Sequence, residues 1–212
     1  MDLITQLLDI AMHLDVHLQE LIAHYHTGVY AILFLIVFIE TGVVIWPFLP
    51  GDSLLFVSGA LAAAGDMELM TVIVVLIAAA LTGDNVNYGI GRFVGPKIFQ
   101  RERSRWFNPA HLARAHAFYE RHGGKTIILA RFVPIIRTYA PFVAGIGAMP
   151  YLRYLSYCIV AAIVWVVSLA VAGYFFGNIP LVKDNLGIVI VLIVLVSISP
   201  GVFAWLKSKR SK

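Results

Sequence analysis

The chain has 212 residues, of which 60% are hydrophobic and only 13% charged, with a formal net charge of +4. Together with a mean hydropathy of +0.85, this excludes an ordinary soluble domain and places the chain among integral membrane proteins. A crossing helix needs roughly 20 apolar residues for about 30 Å of hydrocarbon, so this length allows only a handful of crossings, in one compact all-α membrane domain.

The first residues carry Asp2 and Asp9 where a secretory leader would be basic, and no small-residue cleavage site follows, so no cleaved leader is expected. Leu3, Leu7, Ile10, Leu14 and Leu18 recur at helical spacing, which predicts an amphipathic helix over residues 1–27, lying on or near the membrane. Residues 28–65 hold two apolar pieces, Val29 to Ile39 ending at Glu40 and Ser53 to Ala64, separated by "TGVVIWPFLPGD". Neither is a clean span, and together they predict a first re-entrant hairpin. Residues 66–95 are expected to cross, from Leu69 through "TGDNVNYGIGR".

Residues 96–125 turn polar and basic, with Lys97, Arg101, Arg103, Arg105, Arg114, Arg121 and Lys125. Within them "NPAHLARAHAFYERHGG" reads as a capped amphipathic helix in an extramembrane loop. Residues 126–150 contain "RFVPIIRTYAPFVAGIGAMP". A helix between Pro134 and Pro141 would rise only about 10 Å, and proline disrupts a helix interior, so a single regular crossing is excluded. A second re-entrant hairpin is predicted, which must line protein or a wet cavity to satisfy its broken backbone. Residues 151–177 and 185–206 are expected to cross, and 207–212 form a basic tail.

Lys and Arg asymmetry puts the loop and the tail in the cytoplasm, with Met1 and the turn near Asn178 outside. The loop's charge and the pI of about 9.3 are then topology determinants, not a nucleic-acid surface. Under this topology the hairpins dip from opposite sides, as inverted repeats do in many transporters. Glu40 stands ten positions before Pro50 and Arg131 ten before Pro141, while "YGIG" and "GYFFG" close the two following crossings.

The inverted arrangement sets Glu40 and Asp52 of one hairpin against Arg131 and Arg137 of the other. Two arginines near the bilayer centre would cost on the order of 5 to 7 kcal/mol, so they should pair with carboxylates, face water or bind an anion. Guanidinium groups hold phosphate bidentately, and a carboxylate in a low-dielectric site can exchange protons. Arg131 and Arg137 are therefore the expected substrate-binding residues, and Glu40 and Asp52 the expected proton-coupling ones. The competing reading is a set of buried ion pairs that only fixes packing.

Asp84 and Arg92 are secondary candidates, read as a polar helix end in which Asp84 pairs with Arg92 or caps backbone. Cys158, the single cysteine, reads as a small packing residue. His111, His116 and His122 read as solvated, and Trp46, Trp106, Trp165 and Trp205 as interfacial or packing residues. The sequence shows no HExxH, no GxSxG elbow and no carboxylate pair at metal-ligand spacing. No enzymatic activity, catalytic residue, metal or cofactor is expected. The expected partners are membrane lipids, including a lipid phosphate, and protons; nucleic acid is not among them, and self-association stays open.

"FLPGDSLLFVSGALAA", "GDNVNYGIGR", "FYERHGGKTIILARFVPIIRTYAPFVAGIGAM" and "GYFFG", in this order, resemble the DedA family of membrane proteins over nearly the whole chain. The resemblance implies a bacterial inner-membrane protein with two facing re-entrant hairpins that moves lipids between leaflets. It also implies links to undecaprenyl phosphate recycling, the proton motive force and envelope integrity. The family's acidic pair maps onto Glu40 and Asp52, and its arginine pair onto Arg131 and Arg137. One departure is that Cys158 and Ala161 stand where relatives often have Asn and Gly, which puts close helix packing and a polar contact to substrate at that level in question.

Overall fold

The computed structural model describes residues 14–42, 51–100, 124–177, 179 and 182. The expectations for residues 1–13, for Trp46, Trp106 and Trp205, for the three loop histidines, for the crossing at 185–206 and for the tail lie outside these residues. Among the described residues the regular structure is helical, as the composition requires.

Helix α1 (Leu14–Tyr25) passes through one 3-10 turn (His26–Gly28) into α2 (Val29–Gly42). Residues 27 and 28, where the sequence predicts a boundary, lie within this turn and inside one continuous apolar run. Val29 to Ile39 is too short to cross alone, but Leu18–Gly42 forms a 25-residue run long and apolar enough to do so. Helix α4 (Leu69–Gln100) continues past the predicted end at residue 95, and α7 spans Tyr151–Phe176. Leu69–Val94 and Tyr151–Phe176 also have the length and composition of crossings.

Between them lie short helices: α3 (Gly51–Ala64), α5 (Lys125–Ala130) and α6 (Pro134–Ile146). At 1.5 Å per residue, α3 and α6 each rise about 20 Å, short of the hydrocarbon thickness. The break between α5 and α6 follows from Pro134, which holds Val133 extended (φ −117°, ψ 106°) and takes the first helical position. Pro141, expected to end a seven-residue helix, instead lies inside α6. The helix absorbs it because the loss is one hydrogen bond, the donor that would have served the Arg137 carbonyl. Leu33 and Val37 of α2, Leu54 and Leu55 of α3, Val72 and Leu76 of α4, and Val166 of α7 share one buried apolar core.

Helix α3 lies along α7, and α6 lies along α4. Small residues let these backbones touch. A Cβ on Gly59 would stand 2.0 Å from the Ala170 carbonyl oxygen, and one on Gly173 would stand 1.9 Å from that of Phe56. The second crossing repeats the first: a Cβ on Gly145 would stand 2.2 Å from the Tyr88 carbonyl oxygen, and one on Gly91 would stand 2.2 Å from that of Phe142. Phe56 and Gly59 thus correspond to Phe142 and Gly145, and Ala170 and Gly173 to Tyr88 and Gly91. The repeat expected from the prolines exists in the packing, but Phe-Val-Ser-Gly and Phe-Val-Ala-Gly set its register rather than Pro50 and Pro141.

Both short helices also stop alike. At the end of α3 the Asp66 amide donates to the Leu61 carbonyl and the Gly65 amide to that of Ala62, with Gly65 at φ 93°. At the end of α6, Met149 donates to Ala144 and Ala148 to Gly145, with Ala148 at φ 54°. Each is a Schellman cap, which needs a left-handed residue at its centre.

Candidate functional site

Every helix from α2 to α7 brings a residue to, or stands beside, one buried cluster of charge. Glu40 lies near the end of α2 and Asp52 in the first turn of α3, where a carboxylate suits the helix dipole. Asp84 lies in the middle of α4. Arg131 stands at the break forced by Pro134, and Arg137 lies one turn into α6. Trp165 and Cys158 come from α7.

Arg137 takes two carboxylates, one on each terminal nitrogen: Nη2 donates to Glu40 Oε1, and Nη1 to Asp52 Oδ1 at 2.5 Å. Arg131 takes the third, donating from Nη1 to Asp84 Oδ2. The Cys158 thiol donates to the same oxygen at 3.2 Å, and the Tyr154 hydroxyl donates to the Asp84 backbone carbonyl at 2.9 Å. Trp165 joins the two sets. Its ring centroid lies 4.7 Å from the Cζ of each arginine, and its Nε1 donates to Asp52 Oδ1 at 2.9 Å.

The side chains of Glu40 and Asp84 are 2% exposed, those of Arg131 and Arg137 4% and 6%, and that of Asp52 16%. Asp52 is therefore the least buried member of the cluster. Among the described residues, Glu40 Oε2 and the Nε and Nη2 of Arg131 are buried without a hydrogen-bond partner. Gly51 makes room for the Glu40 carboxyl, because a Cβ there would stand 1.9 Å from Oε2. Asn87 ties the helices beneath the cluster, its Nδ2 donating to the carbonyls of Thr41 and Thr138 at 3.0 and 2.8 Å.

The structure thus brings together Glu40, Asp52, Arg131 and Arg137. It adds Asp84, whose partner is Arg131 and not Arg92; Arg92 is exposed. Cys158 and Ala161 are fully packed, so helix contact at that level is close, and Cys158 does more than fill space. Trp165 is neither an interfacial nor a plain packing residue. Its signal was its position: Tyr154, Cys158 and Trp165 follow at spacings of four and seven, one face of an otherwise apolar helix.

Among the described residues, three apolar runs long enough to cross a membrane, the short helices packed against them and a shared charge cluster define a polytopic membrane protein of the VTT-domain class, and the VTT domain model matches residues 49–175. Protein DedA of Escherichia coli (strain K12) is 55% identical over 213 residues, covering 100% of this chain and 97% of the relative. The chain belongs to the DedA family. An uncharacterized membrane protein of Mycobacterium leprae (strain TN) is 44% identical over 177 residues, covering 84% of this chain and 79% of the relative. Inner membrane protein YqjA of Escherichia coli (strain K12) is 36% identical over 154 residues, covering 71% and 69%. No solved structure matches the chain.

Proposed function

We propose that this protein carries an anionic lipid phosphate, of the polyprenyl phosphate class to which undecaprenyl phosphate belongs, between membrane leaflets in exchange for protons. The observation that carries this reading is the buried cluster itself, in which two guanidiniums face three carboxylates. Isolated charges at this depth are costly and mark substrate or proton pathways. With all five groups ionised one negative charge is left over, and a proton on a carboxylate balances it. Glu40 Oε2, buried without a hydrogen-bond partner among the described residues, is the atom that would hold it. Asp52, the most exposed member, would pass it to water.

Helices α3 and α6 would form the tips of two re-entrant hairpins dipping from opposite faces, a reading supported by their shortness and by the repeated crossing. The basic loop and the tail then lie in the cytoplasm, and the protein in the bacterial inner membrane, in keeping with the name of one relative. The role is transport without catalysis.

The competing reading, a structural or assembly protein for the envelope, is favoured by the complete pairing of Arg137. Reconstitution decides between them. Purified protein in proteoliposomes should move a labelled lipid phosphate between leaflets at a rate set by the pH difference. No movement above protein-free vesicles, for any anionic head group, would leave the structural reading.

A further inference from the structure

The two arginines are not equivalent. Arg137 has a carboxylate on each terminal nitrogen. Arg131 has one on Nη1 alone, and its Nε and Nη2, which form one edge of the guanidinium, are buried without a partner among the described residues. An unsatisfied guanidinium edge at a buried position is costly. This edge also has the geometry that binds two oxygens of a phosphate side by side. Its face is held by Trp165, whose ring centroid lies 4.7 Å from Cζ, so the plane in which a ligand must approach is fixed.

Asp84 holds the opposite side of the same group. It is fully buried, and its Oδ2 is shared between Arg131 and the Cys158 thiol. A carboxylate so placed neutralises Arg131 when no anion is bound, and it repels an anion that arrives.

We propose that Arg131 is the head-group arginine and that Asp84 is its displaceable counter-ion, a built-in competitor that keeps a phosphomonoester from binding too tightly to be released. The inference rests on the lipid-phosphate reading above and assigns unequal roles within it. Arg137, saturated by Glu40 and Asp52, serves the proton side. A carrier must bind its cargo and let it go, and a fixed negative charge beside the anchoring cation tunes that balance. The thiol of Cys158 draws on the same oxygen and so weakens the grip of Asp84 on Arg131.

The test is Asp84→Asn in the full-length protein. Binding of dodecyl phosphate and of inorganic phosphate is measured in a neutral maltoside detergent, beside transport in proteoliposomes. Removing the competing charge should tighten dodecyl phosphate binding about tenfold, as expected for a close charge pair. The KM and kcat of transport should fall together, because release slows. A merely structural aspartate would instead lower melting temperature and abundance with KM unchanged. If the amide variant does not fold, Asp84→Ser gives the same readings with a smaller neutral side chain. Failure of both variants to fold, with phosphate present or absent, would make Asp84 a structural ion and overturn the proposal.

Wild-type binding of dodecyl phosphate matched within twofold by Asp84→Asn would overturn the counter-ion role alone. Absence of binding in the wild type would overturn the lipid-phosphate reading and this inference with it. Equal gains for inorganic and dodecyl phosphate would assign the site to a free anion and overturn the lipid source.

Discussion

Arg137 faces two carboxylates, and that number decides what neutralising either one does. Glu40→Gln or Asp52→Asn leaves two carboxylates for two guanidiniums, so each variant should fold at normal abundance with a melting temperature within a few degrees of wild type. Both should lose the pH dependence of transport. Arg137→Ala leaves the buried Glu40 and the partly exposed Asp52 without their shared cation, a loss of typically 3 to 5 kcal/mol. Melting curves of the three proteins, beside transport over a pH series, check the ordering; collapse of both amide variants would make the acids structural. Arg131→Lys and Arg137→Lys keep the charge but not the planar fork or the flat face that lies against Trp165. We expect stable protein and no transport from either, measured at matched abundance in proteoliposomes. The four charges were legible in the sequence because burying them is so expensive that they must have a purpose. Asp84 was legible only as a polar residue, since its partner Arg131 lies 47 positions away. Trp165 was hidden among four tryptophans, since composition does not say which of them meets a cation.

Among the elements, α4 and α7 were plain in the sequence, where apolar residues run long enough to cross without interruption. The run Leu18–Gly42, long and apolar enough to cross, was obscured by Glu20, His24 and His26, which break the apolar pattern at its start. Pro141 misled in the other direction. A proline reads as a stop, yet its cost is local, and the packing of α6 on α4 carries the helix through it. That packing has little slack. Gly59→Ala and Gly145→Ala would each drive a Cβ into a backbone carbonyl of the facing helix, and overpacking of this kind costs about 1 to 3 kcal/mol. Both should lower the melting temperature by similar amounts, and a silent Gly145→Ala would break the equivalence of the two crossings. The caps differ where the crossings agree. Gly65 has no side chain to strain, whereas Ala148 holds a left-handed backbone that costs an L-residue about 1 to 2 kcal/mol. Ala148→Gly should raise stability by up to about 1 kcal/mol, part of the gain being lost to the freer unfolded chain. Thermal unfolding of purified protein in detergent measures it.

At the scale of the molecule, composition identified a membrane protein and the spaced motifs its family. The way the halves exchange partners was not readable, because no local pattern records that α3 rests on α7 and α6 on α4. Cutting the chain within residues 101–123 should therefore give two fragments that are each scarce when made alone and recover when made together, as read by immunoblotting and co-purification. Survival of the first fragment by itself would contradict the dependence of α3 on α7. The same exchange bears on synthesis. The chain leaves the ribosome from its N-terminus, so α3, with Gly59 and Asp52, emerges long before the helix that supports it has been made. Until residues 151–176 follow, the first half is an incomplete guest of the insertion machinery. A nascent chain stalled before α7 would hold Glu40 and Asp52 without Trp165, and quality-control proteases would meet it in that state.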